Sequence, residues 1–203
     1  MPRERAPHLP TRLPALALWL VLAVGLATLA LFSPVSHDEN QYVAAVWLAT
    51  RLQPFADFLY LQTPLQPLSF KALIADPGPN FIILRLANAL CGLLTLMLVH
   101  AAQRRFDVPE RTAWTATLAL ASCTSFLFDV SVARNDALPA LLLAAAAYLV
   151  IDARDAWRFA IIGLLLGLSA SAKISFAFTG AAIGFWLLWQ VFRRTRRWTE
   201  LLG

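Results

Sequence analysis

Two adjacent carboxylic acids, Asp38 and Glu39, follow the first long apolar run of the sequence. A carboxylate at a membrane surface can act as a general base, and two of them can hold a divalent metal ion. The local pattern also has a structural explanation, because Ser36 and Glu39 have the spacing of a capping box at the start of a helix. The two roles are compatible, since a capped helix is a rigid platform for a catalytic carboxylate.

A second polar cluster, Arg134-Asn135-Asp136, precedes another apolar run. Asn135 or Asp136 can cap the following helix, and Arg134 can reach lipid headgroups. Arg85 and Lys173 lie near the ends of apolar runs, where long basic side chains commonly extend to the membrane interface. Carboxylates beside arginine and lysine at one membrane face would suit an anionic substrate such as a lipid phosphate.

The composition indicates that these residues belong to a membrane protein. Hydrophobic residues make up 59% of the chain and charged residues only 14%, against about 25% charged residues in soluble domains. The apolar residues fall in long blocks separated by charged islands, as in helices that cross lipid. The basic residues cluster beside these blocks, so the net charge of +5 indicates membrane orientation and no nucleic-acid partner. We therefore predict an all-α, polytopic membrane protein.

The apolar blocks predict about six membrane spans. The first four cover residues 13–32, 81–102, 112–128 and 137–151. The last block, residues 159–192, is too long for one span, because at about 1.5 Å per residue it would reach about 51 Å across a hydrocarbon core of about 30 Å. Two spans joined by a tight turn near Lys173 fit better. The alternative is one tilted span with a re-entrant tail.

Six spans place most of the 17 lysine and arginine residues on the face that holds both termini, which the positive-inside rule makes cytoplasmic. Residues 33–80 then form an extracytoplasmic loop. We predict that residues 38–51 form an amphipathic helix on the membrane surface. Residues 65–74 are predicted to form a second short helix, and residues 76–79 a turn. Six ionisable residues reach this same face: Asp38, Glu39, Arg85, Arg134, Asp136 and Lys173.

Four segments, in this order, resemble the GT-C membrane glycosyltransferases, and most closely their protein O-mannosyltransferase and lipid A aminoarabinose transferase branch. They are an Asp-Glu pair followed by tyrosine (37–42), an aromatic–proline–aliphatic segment (60–65), a span that opens with arginine (85–94) and a glycine-rich span that ends in lysine (163–173). The resemblance implies a hexosyl or pentosyl transferase in the bacterial inner membrane. It would move a sugar from a polyprenyl-phosphate donor to a lipid, glycan or protein acceptor.

The resemblance also implies roles for individual residues. Asp38 matches the catalytic, acceptor-activating acid, with Glu39 beside it, and Asp136 matches a second acidic position. A divalent metal ion, where one is used, would bind Asp38 and Glu39. Substrate contacts are expected from four side chains: Arg85, Arg134, Lys173 and Tyr60. Thr63 stands where some relatives carry lysine before the loop proline, so a phosphate contact there would come from elsewhere.

Members of the superfamily are usually far longer than this sequence. We therefore expect residues 1–203 to be the N-terminal portion of a GT-C transmembrane domain, with residues 33–80 as its first extracytoplasmic loop. The rival hypothesis is a non-enzymatic membrane protein such as a transporter or flippase component. It predicts charges deep within spans and paired broken helices, whereas the charges of this sequence cluster at span ends.

Overall fold

A computed structural model describes residues 12–74 and 80–192, and this part of the chain contains nine α-helices and no β-strand. The helices are α1 (Arg12–Phe32), α2 (Glu39–Leu48), α3 (Leu65–Phe70), α4 (Phe81–Arg105), α5 (Glu110–Ala121), α6 (Thr124–Ser131), α7 (Ala137–Val150), α8 (Ala156–Ala172) and α9 (Phe176–Phe192), with a short 3-10 helix (Lys71–Leu73) after α3. The all-α prediction is confirmed. The predicted turn at residues 76–79 and both termini lie outside the described residues.

In the part of the chain that the structure describes, two helices, α1 and α4, are long and apolar enough to cross a bilayer. Helices α5 and α6 meet at a 64° bend and together count as a third candidate span. Helices α7, α8 and α9 are apolar but shorter, with 14, 17 and 17 residues. The number of six spans therefore stays a prediction.

The last apolar block forms two helices, as predicted. Helix α8 ends at Ala172 and α9 begins at Phe176, so Lys173 falls in the short connection between them. The two helices pack against each other and against α7, around a small core that contains Ala146 and Ile162.

Helix α4 is the centre of the molecule and packs against α1, α5, α6 and α7. Asn80 caps its start by accepting a hydrogen bond from the Ile83 N–H at 3.0 Å. Gly92 faces α6 so closely that a Cβ atom there would lie 2.6 Å from a methyl carbon of Val130. The absence of a side chain at Gly92 therefore permits the contact between α4 and α6.

Residues 33–74 cover one end of the bundle, which we call the loop-bearing end. Both predicted loop helices are present, as α2 and as α3 with its 3-10 extension. The apolar side of α2 buries Val43 and Val46 in the main core together with Leu26 and Leu84. We predicted that this side lies on the membrane surface, but its partner is the protein. The spacing of apolar residues predicts a buried face without indicating what covers it.

Candidate functional site

A group of charged side chains gathers at the loop-bearing end. Asp38 precedes α2, Arg134 and Asp136 lie between α6 and α7, and Lys173 follows α8. The Arg134 Nη2 atom is 3.7 Å from Asp38 Oδ2, and its Nε atom is 3.6 Å from Asp136 Oδ2. Lys173 Nζ forms an ion pair with Asp136 Oδ1. These four residues, which we call the charge cluster, were predicted to share one face, and the structure brings them together.

The two acids of the charge cluster do not use their side chains as helix caps. Asp38 and Asp136 occupy the N-cap positions of α2 and α7, but neither carboxylate accepts a capping hydrogen bond from its helix. The Asp38 side chain is 46% exposed and the Asp136 side chain only 12%. Asp38 is thus accessible to a ligand, whereas Asp136 is largely covered by its two basic partners.

Glu39 is fully buried, and both of its carboxylate oxygens are bound. Arg85 donates to Oε1 from Nε at 2.6 Å and to Oε2 from Nη2 at 2.7 Å. The backbone N–H of Ala133 donates to Oε1 at 2.7 Å and that of Ser36 to Oε2 at 3.1 Å. Burial alone would raise the Glu39 pKa, but these hydrogen bonds hold the pKa below its ordinary value. The Ser36 bond is one half of the predicted capping box.

Arg85 has no N–H group left for a substrate. A guanidinium carries five N–H donors; two bind the Glu39 oxygens, and the other three reach backbone carbonyls. Nη1 donates to Ala30 and Ser33 at 3.3 and 2.7 Å, and Nη2 also donates to Pro34 at 3.2 Å. Arg85 therefore fastens the end of α1 and the start of α2 to α4. A contact from Arg85 to a substrate phosphate would require breaking one of these bonds.

Two buried amides that the sequence analysis did not single out hold the backbone of the charge cluster. Asn88 Nδ2 donates to the carbonyls of Val132 and Arg134 at 2.6 and 2.7 Å. Gln66 Nε2 donates to the same Arg134 carbonyl at 2.7 Å. A polar side chain within an apolar span indicates a buried partner, so Asn88 was recognisable from the sequence. Gln66 lies in a polar loop and gives no such indication.

Tyr42 and Asp129 also lie beside the charge cluster. Tyr42 of α2 is buried near Arg134, Asp136 and Asp38, and its pKa is raised, chiefly by burial. Asp129 of α6 is near enough to Asp136 and Arg134 for their charges to act on it. Both residues lie close to the charge cluster, although neither was among the site residues that the sequence predicted.

Tyr60, a predicted substrate contact, packs behind Tyr42 rather than in the charge cluster. Its ring belongs to a small core with Tyr42, Ala45 and Phe58. Its hydroxyl is buried without a hydrogen-bond partner among the described residues, and burial raises its pKa. Tyr60 is therefore placed to support Tyr42 by packing against it.

The donor set at Asp38 and Glu39 does not fit a divalent metal ion. Both Glu39 oxygens are bound by Arg85 and backbone N–H groups. The carboxylates of the charge cluster face Arg134 and Lys173, whose positive charges would repel a cation. Within residues 12–74 and 80–192, no group of three or more histidine, cysteine, aspartate or glutamate side chains could hold a metal.

Comparison with known proteins identifies the family. A family model described as dolichyl-phosphate-mannose-protein mannosyltransferase matches residues 64–202. The chain belongs to this family. The match includes Arg85, Arg134, Asp136 and Lys173, and it confirms the predicted GT-C relationship. It also identifies the apolar helices as part of an integral membrane protein.

The fold of this mannosyltransferase family member is similar to that of one solved structure, the S. cerevisiae protein O-mannosyltransferase Pmt1-Pmt2 complex bound to the sugar donor. The TM-score is 0.70 and the sequence identity 18%, over 96% of this chain and 31% of that chain. This chain therefore spans about a third of the length of its structural relative. No curated protein matches the sequence.

Proposed function

We propose that the chain carries the catalytic base of a glycosyltransferase that moves a sugar from a polyprenyl-phosphate donor to an acceptor hydroxyl. The observation that carries this proposal is the position of Arg134 between the exposed carboxylate of Asp38 and the covered carboxylate of Asp136. A base and a cation are thereby side by side. The family description names dolichyl-phosphate-linked mannose, so a polyprenyl-phosphate mannose is the first donor to test.

In the proposed reaction, the acceptor oxygen forms a bond to the anomeric carbon of the sugar while the bond from that carbon to the phosphate oxygen breaks. Asp38 takes the proton of the acceptor hydroxyl, because it is the exposed carboxylate of the charge cluster. The phosphate leaves with the bonding electron pair. Its growing negative charge is stabilised by cations already fixed in the site.

Arg134 is the cation best able to meet the leaving phosphate. Its contacts with Asp38 and Asp136, at 3.7 and 3.6 Å, are longer than hydrogen bonds, so the guanidinium can turn toward a phosphate without losing one. Arginine also suits phosphate because its donors can bind two oxygens at once. Lys173 is bound to Asp136, and together they would hold Arg134 in place.

This proposal revises three roles that we expected from the sequence. Glu39 and Arg85 become positioning residues, because their polar atoms are bound to each other and to the backbone. Tyr60 becomes a packing partner of Tyr42. Asp38, Arg134, Asp136 and Lys173 keep their proposed places in catalysis and substrate binding.

We also propose a location in the bacterial inner membrane, with the loop-bearing end outside and both termini in the cytoplasm. The opposite end of the bundle carries Arg104 and Arg105 at the end of α4 and Arg158 at the start of α8. Arginine at that end supports a cytoplasmic location by the positive-inside rule. The acceptor would then be a lipid, glycan or protein on the outer side.

The test is turnover of radiolabelled polyprenyl-phosphate mannose in membranes that contain the chain, compared with membranes that lack it. We expect release of polyprenyl phosphate and transfer of label to an acceptor, both dependent on the chain. Movement of intact donor across the membrane without cleavage would contradict the proposal and support the transporter alternative.

A further inference from the structure

Two buried amide side chains converge on the backbone of the charge cluster, and we propose that Asn88 and Gln66 are positioning residues that hold Arg134 and Asp136 opposite Asp38. Asn88 comes from the central helix α4 and Gln66 from the loop helix α3. Their Nδ2 and Nε2 atoms each lie 2.7 Å from the Arg134 carbonyl oxygen. The catalytic part of this inference rests on the proposed function, whereas the structural part does not.

The two amides bind residues 132–136, a segment whose backbone needs hydrogen-bond partners from outside a helix. Helix α6 ends at Ser131 and α7 begins at Ala137, so residues 132–136 lie outside both helices. Val132 is extended, with φ −114° and ψ 157°. Buried carbonyls in a non-helical segment must find donors from elsewhere. Asn88 donates to the Val132 and Arg134 carbonyls, Gln66 is the second donor to the Arg134 carbonyl, and the Arg134 N–H is a second donor to the Val132 carbonyl, at 2.9 Å.

One turn of α4 controls both halves of the charge cluster. Arg85 binds Glu39, which follows Asp38 directly and also accepts the Ala133 N–H. Asn88, three residues further along the same face of α4, binds the carbonyls on either side of Ala133. The separation of Asp38 from Arg134 is therefore set through residues 85–88.

The side-chain amide is suited to this position for a specific chemical reason. An asparagine NH₂ group has two N–H donors, which matches two carbonyl acceptors. Leucine has nearly the same shape but no donor, so it would remove one of the two hydrogen bonds that each carbonyl accepts. The Arg134 carbonyl belongs to the same residue as the guanidinium. Loss of the hydrogen bond from Asn88 should therefore displace the Arg134 side chain and the neighbouring Asp136. A displacement of about 1 Å can reduce turnover about 100-fold.

The variants to compare are Asn88→Leu, Gln66→Leu and Thr95→Val. Thr95 is a matched control, because it is a buried polar residue on α4 whose hydroxyl, among the described residues, bonds to the Cys91 carbonyl of its own helix. Hydrogen–deuterium exchange of the backbone at residues 132–136 reports the positioning without any need for activity. Turnover of polyprenyl-phosphate mannose then reports its effect on catalysis, as kcat and KM separately.

We expect Asn88→Leu and Gln66→Leu to speed exchange at residues 132–136 and to lower kcat by about 10- to 100-fold with little change in donor KM. Thr95→Val should leave both readouts at the wild-type level. If Asn88→Leu does not accumulate in a folded form, Gln66→Leu on the peripheral helix α3 provides the same comparison.

Unchanged exchange at residues 132–136 in the amide variants would overturn the structural inference. Faster exchange with unchanged kcat would overturn the catalytic part. If the wild-type protein shows no transfer at all, the proposed function fails, and the exchange measurement still decides whether Asn88 and Gln66 position the segment.

Discussion

Asp38 and Glu39 are neighbours in sequence with opposite surroundings. The Asp38 side chain is 46% exposed beside Arg134, whereas Glu39 is completely buried against Arg85. They differ because α2 begins here, and successive residues on a helix point about 100° apart. The sequence predicted an acidic pair at this place, but the partner that distinguishes the two acids lies 46 residues away. Nothing in the local pattern could show which of the two would be buried.

Removing the charge of Glu39 should destabilise the fold. Glu39→Gln leaves the Arg85 guanidinium buried without a counter-charge, and breaking a buried pair in this way costs about 3–5 kcal/mol. Thermal unfolding in detergent measures the loss. Asp155→Asn is the control, because its ion pair with Arg158 is about half exposed and worth about 0–1 kcal/mol. Equal unfolding temperatures for Glu39→Gln and wild type would show that the pair does not stabilise the fold.

The contribution of Glu39 should depend on pH in a defined direction. Its folded pKa lies below the ordinary carboxyl value, which is about 4.3 in the unfolded chain. The stability from the ionised form is therefore fully present above about pH 4.3 and is lost as the pH falls through the folded pKa. The difference in unfolding free energy between wild type and Glu39→Gln should shrink below pH 4. A difference that grows on acidification would contradict this sign.

The residues of the charge cluster were easier to predict than those that hold it. Topology alone brought Asp38, Arg134, Asp136 and Lys173 to one face. The role of Arg85 depends on carbonyls at residues 30, 33 and 34, whose positions follow from where α1 ends. The direction of the Arg85 side chain depends on tertiary packing, and the spacing of apolar residues in the sequence does not describe that packing.

At the scale of elements, the apolar blocks predicted where most helices lie but not where one of them breaks. Residues 112–128 were predicted as one span, yet α5 ends at Ala121 and α6 begins at Thr124. The Ser122 hydroxyl donates to the Leu118 carbonyl at 2.8 Å, a back-bond that is common at helix bends. The composition changes little across this point, so hydropathy gives no indication of the 64° bend.

The contact between α4 and α6 should depend on Gly92. Gly92→Ala would place a Cβ atom 2.6 Å from Val130, and such overpacking costs about 1–3 kcal/mol. The double variant Gly92→Ala with Val130→Gly, which also removes the Val130 Cβ atom at 2.7 Å, should recover part of the loss in unfolding temperature. Gly163→Ala is the matched control, since nothing lies within 4 Å of its Cβ position and alanine favours helix by about 1 kcal/mol. Equal behaviour of the Gly92 and Gly163 variants would contradict close packing at α6.

At the scale of the whole molecule, composition was enough to predict an all-α membrane protein. The order of four short motifs was enough to predict the GT-C relationship. The count of six spans stays a prediction from the apolar blocks, because α7, α8 and α9 are shorter than α1 and α4. The orientation in the membrane also rests on the distribution of arginine and lysine alone.

Cysteine labelling should establish that orientation. In a background with Cys91 and Cys123 replaced by serine, Leu59→Cys tests the loop-bearing end and Trp157→Cys the opposite end. Both native side chains are well exposed. We expect a membrane-impermeant maleimide to label Leu59→Cys in intact cells, and Trp157→Cys only after permeabilisation. The reverse pattern would contradict an extracytoplasmic site.

The most direct test of the account compares Asp38→Asn with Asp57→Asn in the transfer of mannose from polyprenyl phosphate. Asp57 is an acid of the same loop whose carboxylate accepts the Gln53 N–H, at 2.8 Å, within the described part of the chain. Asparagine at position 38 keeps the shape but cannot take a proton, so transfer should fall by about 100- to 10,000-fold. Asp57→Asn should retain wild-type transfer. Transfer by Asp38→Asn at the wild-type rate would contradict the assignment of Asp38 as the catalytic base.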